Sequence, residues 1–269
     1  MIKVRLRFSK GGKLRFIGHL DFLKVFQQTL GRAKLPVAYS HGFNPHMQLS
    51  FALPLPLGMT SGNDYADLTL ESEMPEDEII SRLNAHAPGG LVVTGAREFT
   101  GPGAAALAAV ADYVFEADDV AEDTVKTLLA RESIVIPKKT KSGVKDTDIR
   151  PDILDVTVSP HLCQHKSVEE RSDEAIQQDL SLANAFGLLR CARNDGLLYS
   201  RNGSFGKQGN QHVIMRLAAG SARFLNPLIV AGLLLGRDAC PASITRAELY
   251  RRSDDINTGL VTLYDAPIN

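Results

Sequence analysis

The first hundred residues alternate between strand-like stretches and two amphipathic helical stretches. Apolar residues at every second position from 4 to 8 alternate with Lys3, Arg5 and Arg7, which predicts a half-buried strand with one basic face. Over residues 19–33 the apolar positions recur at three- and four-residue steps, the spacing of one helical face. The other predicted elements are strands at 49–53, 64–71 and 91–99 and a helix at 76–86. This order is that of a ferredoxin-like unit.

The rest of the chain repeats the pattern less regularly. The predicted elements are strands at 112–117, 133–136, 149–158, 212–218 and 244–252 and helices at 120–130 and 227–235. A lysine-rich loop is expected to join the second and third of these strands, and Asn226 with Pro227 forms a typical helix start. The sequence therefore predicts an α+β fold of two tandem ferredoxin-like units. They occupy residues 1–100 and 111–269, with 101–110 as a linker.

Residues from about 161 to 211 do not fit this pattern. They contain polar and helix-forming pieces without a sustained period. The string that begins at Glu170 (ERSDEAIQ) and the one that begins at Gly187 (GLLRCARND) resemble peptides translated from mobile palindromic DNA repeats. Loops tolerate long insertions because the entropy of loop closure grows only logarithmically with length. We therefore predict a poorly ordered insertion in the second unit, with a functional lid as the alternative.

Charge is distributed unevenly along the chain. The formal net charge is -1, yet residues 1–50 contain nine basic residues against Asp21 alone. Such a basic end can attract phosphate groups while the rest of the protein stays acidic. A merely solvated charged face is the alternative.

Composition and cysteine spacing argue against several classes of protein. There is no apolar run of about 18 residues and no continuous apolar stretch behind the basic start, so neither a membrane span nor a secretory signal is expected. We therefore expect a cytoplasmic protein. The three cysteines, Cys163, Cys191 and Cys240, are far apart and form no CxxC pair. They predict no disulfide framework and no cysteine-bound metal or cluster.

His19 and Asp21 stand at the start of the first predicted helix. A carboxylate is favoured there by the helix dipole and can accept hydrogen bonds from free backbone N–H groups. His19 could contact a phosphate or act as a general base, or could belong only to the helix start. Residues two apart on a helix do not face each other, so the pair is not a ready-made dyad.

A loop rich in rings and imidazoles follows this helix. It contains Tyr39, His41, Phe43, Asn44 and His46. Gly42 and the Asn-Pro dipeptide favour a turn, so a purely structural loop is one interpretation. The others are contact with RNA or a nucleotide, whose base would stack on a ring, and a metal site. Spacing gives no support for the metal, and none is predicted.

Several longer motifs carry a family resemblance. They are the segment that begins at Leu35 (LPVAYSHGFNPH), the segment that begins at Leu49 (LSFALPLPLGMTS), Asp148-Ile-Arg-Pro and Arg216-Leu-Ala-Ala-Gly. On these motifs the chain closely resembles the radical-SAM-linked family, a bacterial domain of unknown function. The resemblance covers most of the chain outside residues 161–211.

The resemblance implies a partner rather than an activity. Such proteins are similar to domains fused to, or encoded beside, a cobalamin-binding-type radical SAM protein, near an RNase E/G-type nuclease and ribosomal proteins. This chain lacks the CxxxCxxC triad that would hold a radical SAM cluster. Radical chemistry would therefore belong to the partner, and we predict neither a cofactor nor an independent catalytic activity for this chain.

The leading hypothesis is an accessory module that binds RNA, either tRNA or rRNA, and presents it to the radical SAM partner. The residues predicted to bind RNA or another anion are Arg5, Arg7, Lys13, Arg15, His19, Lys24, Tyr39, His41, Phe43, Asn44, His46 and Arg150. One alternative is a metal-independent endoribonuclease similar to the RAMP class of CRISPR systems, with His19 as the general base on a ribose 2′-hydroxyl. The other is a protein-interaction scaffold without a nucleic-acid role.

Overall fold

The computed structural model describes residues 1–117, 120–140, 143–159, 211–221, 223–236, 241, 243–252 and 259–264. The chain divides into two compact units. The first consists of Met1–Ala111, Ala219–Phe224 and Glu248–Asn269, and the second of Asp112–Ala218 and Leu225–Ala247. The predicted division at 101–110 stays a prediction. The predicted insertion and all three cysteines lie outside the described residues, apart from Gln211 at the end of the insertion.

The first unit contains the strands and helices that the amino-terminal pattern predicts, together with two short helices that it does not predict, one after the first strand and one after the last. They are β1 (Ile2–Lys10), a 3-10 helix η1 (Gly12–Phe16), α1 (His19–Arg32), β2 (Leu49–Phe51), β3 (Thr60–Leu70), α2 (Glu76–His86), β4 (Leu91–Glu98) and the short α3 (Ala104–Leu107). Two strands, β5 (Val110–Ala117) and β10 (Ile244–Arg252), contribute residues to both units, and β11 (Leu260–Thr262) completes the first.

The strands of the first unit form an antiparallel arrangement centred on β1 and β3. β1 pairs with β4 on one side and with β3 on the other, and β2 pairs with β3, so the order is β4-β1-β3-β2. β10 also lies beside β3 and carries β11. Register is fixed by the alternation of the sequence, because Val4, Leu6 and Phe8 are buried on the face that α1 and α2 cover.

Four aromatic rings form the centre of this core. Phe8, Phe22, Phe26 and Phe51 lie with neighbouring ring centroids 5.3 to 6.1 Å apart, a range in which tilted and edge-to-face pairs are favourable. α1 contributes Phe22 and Phe26 because its apolar residues recur at helical spacing. The helix ends at Arg32, and Lys34 follows with a left-handed φ of 51°. The core thereby fixes α1 across β1.

The second unit is built on β9 (Gln211–Ala218). This strand pairs antiparallel with β8 (Ile153–Ser159), and β5 lies on its other side, with β10 beside β5. The remaining elements are α4 (Glu122–Leu129), β6 (Val135–Thr140), β7 (Gly143–Asp148), a 3-10 helix η2 (Arg150–Asp152) and α5 (Pro227–Leu235). α4 packs against β8 and α5. Asn226 caps α5 as predicted, since its side chain accepts a hydrogen bond from the backbone N–H of Leu228 at 3.1 Å.

One prediction for the second unit was wrong. The lysine-rich segment after residue 136 is not a loop, because β6 and β7 form a separate two-stranded antiparallel ribbon. Lys138 stands directly opposite Lys145 in this ribbon. Lysine is disfavoured in strands and like charges in opposite positions repel, so neither composition nor charge indicated a strand here.

The α+β class that the pattern predicts is confirmed, since both units combine β-sheet with a few helices. The helix predicted at 76–86 has these bounds, and the first helix begins at the predicted residue. The tandem ferredoxin-like arrangement stays a prediction. Within the described ranges, none of the helices has both the length and the apolar character that crossing a bilayer requires.

Candidate anion-binding site

Arg5 is buried in the interior of the first unit. Only 4% of the residue is exposed, and the guanidinium forms two hydrogen bonds with the carboxylate of Asp67, at 2.8 and 3.2 Å. It also donates to the carbonyl oxygens of Leu263 and Pro102 and lies 4.3 Å from the ring centroid of Phe99. A buried cation with this many partners holds the fold together and does not face solvent. Our expectation that Arg5 lies on an exposed basic face was therefore wrong.

Arg7 is also engaged within the first unit. Its Nε–H donates to the hydroxyl of Thr94 at 3.2 Å, and its guanidinium lies over the ring of Tyr264 at 4.7 Å. The residue is half-buried. Of the four basic residues on β1, Lys3 is exposed, Arg7 is half-buried, and Arg5 and Lys10 are buried. The strand thus shows the predicted alternation, but three of its four cations pack within the unit.

Arg150 has a structural role in the second unit. Its guanidinium donates to the backbone carbonyls of Leu129, Arg131 and Ile153, at 2.7 to 3.2 Å. Leu129 is the last residue of α4, where the free carbonyls and the helix dipole favour a cation. The preceding Asp148 accepts hydrogen bonds from the backbone N–H groups of Ile134 and Arg150. The Asp-Ile-Arg-Pro motif therefore stabilises the helix end, and the guanidinium of Arg150, predicted to bind an anion, binds backbone carbonyls instead.

The predicted cations that remain exposed lie where η1 leads into α1. We call Lys13, Arg15, Phe16, Leu20 and Lys24 the amino-terminal surface. Lys13, Phe16, Leu20 and Lys24 are exposed and Arg15 is half-buried. The guanidinium of Arg15 lies 4.6 Å from the ring centroid of Phe16, whose exposed fraction is 63%. An aromatic ring that faces solvent and stacks with a cation is a surface on which a nucleic-acid base can stack.

Local sequence explains the form of this surface. Gly12 adopts a left-handed φ of 55°, which starts the tight turn of η1. The turn at Gly58 closes against it, because the N–H of Gly58 donates to the carbonyl of Arg15 at 2.8 Å. Leu20 and Lys24 are four residues apart and so share one face of α1. Asp21 forms only an exposed ion pair with Lys24, at 3.7 Å, and such surface pairs contribute little.

Polar groups are buried directly beneath this surface. Lys10 is 1% exposed, and its ammonium donates to the carbonyl of Ile17 at 3.3 Å and lies 4.7 Å from the ring centroid of Phe22. Ser61 stands opposite Lys10 in the β1–β3 ladder and therefore shares its face. Asp64 is also buried, beside Phe8 in the same ladder. The sequence pattern did not reveal this cluster, because Lys10 ends a strand in which every other basic residue seemed to point outward.

His19 lies between the buried cluster and the amino-terminal surface. As the first residue of α1 it is half-buried, and its ring meets that of Phe51 edge to face at 5.6 Å. Burial is the main cause that lowers its pKa below the usual 6.5, and the positive charge of Lys10 lowers it further, whereas Asp64 partly opposes them. The imidazole is therefore neutral at pH 7, so it can accept a proton or hydrogen-bond an RNA group.

Two buried polar atoms in this region are unpaired. Within the described residues, neither the Nε–H of Arg15 nor the hydroxyl of Ser61 has a hydrogen-bond partner. Most buried polar groups in proteins are paired, so unpaired ones call for an explanation. One explanation is that a ligand at the amino-terminal surface supplies the partner.

The predicted loop projects separately from the same unit. Tyr39 and Met47 form an isolated bridge at its base, and His41, Phe43 and Asn44 are exposed. Gly42 has a φ of 141°, which only glycine adopts readily. The Nδ1 atom of His46 lies 2.8 Å from the hydroxyl of Ser40, and this contact orients the imidazole. The loop thus presents a fully exposed Phe43 ring together with two imidazoles.

The structure groups the predicted residues in a new way. Lys13, Arg15, His19 and Lys24 lie together around η1 and the start of α1, and the loop residues form a second group. The structure adds Phe16, Leu20, Lys10, Ser61 and Asp64, which sequence analysis missed. In the part of the chain that the structure describes, no three His, Cys, Asp or Glu side chains come together as metal ligands would.

Comparison with known proteins identifies a family but no activity. A family model described as an uncharacterized protein conserved in bacteria (DUF2344) matches residues 3–182. A search of curated proteins gives no match. The matched residues include all of the amino-terminal surface and the loop.

Proposed function

Since the chain belongs to this bacterial family, DUF2344, we propose that it is an accessory protein that binds single-stranded RNA on the amino-terminal surface. Its task would be to present tRNA or rRNA to a radical SAM partner in the cytoplasm. The partner and the compartment rest on the resemblance and the sequence composition given above. The tandem ferredoxin-like arrangement belongs to the same proposal, and the order β4-β1-β3-β2 in the first unit supports it.

The stack of Arg15 on the exposed ring of Phe16 is the observation that carries this proposal. Proteins that bind single strands combine a ring on which bases stack with cations that contact phosphates. Lys13 and Lys24 supply these cations on either side of the stack along the chain. Asp21 is the one carboxylate among these residues, and it is exposed and only loosely paired.

The His41 to His46 loop supports the same function by its chemistry. An exposed Phe43 ring flanked by imidazoles and by Asn44 suits unpaired bases, which RNA-binding proteins stack on aromatic side chains and hydrogen-bond along their edges. Single-stranded RNA is therefore favoured over duplex RNA, whose bases are stacked away from such rings.

The salt dependence of binding tests the proposal. Purified protein should retain a labelled single-stranded oligoribonucleotide on filters at low salt. Three phosphate contacts, from Lys13, Arg15 and Lys24, predict a slope of roughly −2 for the logarithm of the binding constant against the logarithm of salt concentration. A slope near zero, or no retention at low salt, would contradict RNA binding. In that case, recovery of the radical SAM protein without RNA in a pull-down would support the scaffold hypothesis.

A specific observation also keeps an enzymatic alternative open. His19 is neutral at pH 7 and lies beside the cationic surface, which is the protonation state that a general base needs. It would remove the proton of a ribose 2′-hydroxyl, whose oxygen attacks the adjacent phosphorus and displaces the 5′-oxygen. The products would be a 2′,3′-cyclic phosphate and a 5′-hydroxyl.

His19→Ala is expected to slow such cleavage about 100-fold or more, the usual contribution of a general base. His86→Ala is the matched control, because His86 is an exposed histidine at the end of α2 in the same unit. Wild-type cleavage should be lost on acidification at a lower pH than for an ordinary histidine, because burial and Lys10 lower the pKa of His19. Intact labelled total RNA after incubation with the wild-type protein would exclude the nuclease.

A further inference from the structure

A surface cavity of about 300 Å³ lies on the first unit, away from the elements of the amino-terminal surface. It is lined by residues from β1, β2, β3, the end of the His41 to His46 loop and the segment after β4. Those used below are Lys3, His46, Gln48, Ser50, Asp67, Thr69 and Phe99. All of them belong to the first unit, whose strands fix their positions.

Several polar side chains in this cavity are free to bind a ligand. Among the described residues, the side chains of Lys3, Ser50 and Thr69 have no hydrogen-bond or ionic partner. Lys3 stands directly opposite Thr69 in the β1–β3 ladder, and Ser50 stands opposite Asp67 in the β2–β3 ladder. Directly opposed residues share a face of the sheet, so these groups point to the same side.

The carboxylate of Asp67 does not make the cavity acidic. It is held by two hydrogen bonds from Arg5 and by the backbone N–H of Ala104. Because the Arg5–Asp67 pair is neutral overall, the charge of Lys3 makes the electrostatic potential in the cavity positive. Arg5 also fixes the ring of Phe99, over which its guanidinium lies at 4.3 Å. Counted over the described residues, the cavity therefore has one free cation, two free hydroxyl groups and an aromatic ring that Arg5 holds in place.

These groups match the parts of a nucleotide. Lys3 suits a phosphate, the hydroxyls of Ser50 and Thr69 suit a ribose or a base edge, and Phe99 offers apolar contact to a base. Gln48 adds an amide whose Nε2–H donates to the carbonyl of Tyr39 at 3.3 Å, which leaves its oxygen as an acceptor. His46 joins the cavity to the predicted loop.

We propose that this cavity binds one nucleoside monophosphate, either as a free molecule or as an unpaired nucleotide of RNA. If the ligand is a nucleotide of RNA, the proposal rests on the RNA-binding function proposed above, and a single unpaired nucleotide is the part of the RNA that this cavity would hold. It also gives the loop a second role, because His46 would contact the same nucleotide from the rim.

Binding of AMP and UMP to the full-length protein tests this directly, with ligand-observed NMR as the readout. The double variant Lys3→Gln, Thr69→Val removes the free cation and one hydroxyl. Valine keeps the shape of threonine, and glutamine keeps a polar side chain without the charge. We expect binding roughly tenfold weaker or worse, since hydrogen bonds to charged groups are among the stronger ones. Lys34→Gln is the matched control, an exposed cation at the far end of α1, and should bind like the wild type.

A second variant, Ser50→Phe, fills the cavity instead of removing its polar groups and should weaken binding at least as strongly. Unchanged nucleotide binding in both variants would overturn the proposal. It would also be overturned if the wild type bound neither AMP nor UMP and both variants crosslinked a 4-thiouridine oligomer as the wild type does. Loss of crosslinking in both variants supports the RNA source, and loss of AMP binding alone supports the free nucleotide. RNA retention that depends on Lys13, Arg15 and Lys24, together with AMP and UMP binding and RNA crosslinking that the cavity variants leave unchanged, would leave RNA binding intact and reject only this inference.

Discussion

Arg5→Ala is expected to destabilise the protein by about 3 to 5 kcal/mol. The substitution leaves Asp67, which is only 13% exposed, without the guanidinium that neutralises it. It also deprives the carbonyls of Leu263 and Pro102 of a donor and removes the cation that packs on Phe99. The melting temperature should fall by roughly 10 °C, measured by circular dichroism.

Lys3→Ala is the matched control for this prediction. Lys3 lies on the same strand two residues away but is exposed, so its removal should change stability by less than about 0.5 kcal/mol. A melting temperature of Arg5→Ala close to that of Lys3→Ala would show that the ion pair with Asp67 is not what stabilises this part of the fold.

Reversing three charges of the amino-terminal surface is expected to abolish RNA retention. The triple variant Lys13→Glu, Arg15→Glu, Lys24→Glu replaces attraction to phosphates by repulsion. At about 1 kcal/mol or more for each charge changed, binding should weaken roughly 100-fold or more. Filter binding of the same oligoribonucleotide at low salt measures the effect.

The control variant changes the net charge by the same amount elsewhere. Arg32→Glu, Lys34→Glu and Lys126→Glu replace exposed cations at the other end of α1 and on α4. If RNA binding depended only on net charge, both triple variants would lose it equally, and the amino-terminal surface would have no special role. Arg5 and Arg7 are unsuitable for this test, because their side chains are hydrogen-bonded to Asp67 and Thr94 and reversing either charge would damage the fold as well as any binding surface.

The difference between Arg5 and Lys13 shows how far charge patterns can be read from sequence. Both residues belong to the same basic stretch, and alternation on the first strand correctly placed Val4, Leu6 and Phe8 in the core. Alternation also implied that the other face meets solvent, as on many antiparallel sheets. In the structure, chain segments far away in sequence cover that face at Arg5. Leu263 is 258 positions from Arg5, and no local pattern can indicate such a contact.

The candidate site was predicted in part for a similar reason. Lys13, Arg15, His19 and Lys24 lie close in sequence and in consecutive elements, so their grouping followed from the chain order. Lys10 and Ser61 come together only because β1 pairs with β3 in a particular register. The same pairing, together with β2, creates the cavity around Lys3, Ser50 and Thr69.

The sequence by itself determined the α+β class, the first residue of α1, the bounds of α2 and the basic character of the amino-terminal end, because periodicity and local charge act over a few residues. Only the tertiary structure decided which cations are free to bind a ligand. Whether a cation is free depends on its burial and on the partners that the fold brings to it. Arg5 is hydrogen-bonded to Asp67, and Arg150 to a backbone carbonyl at the end of α4. Lys3, Lys13 and Lys24 stay exposed to solvent.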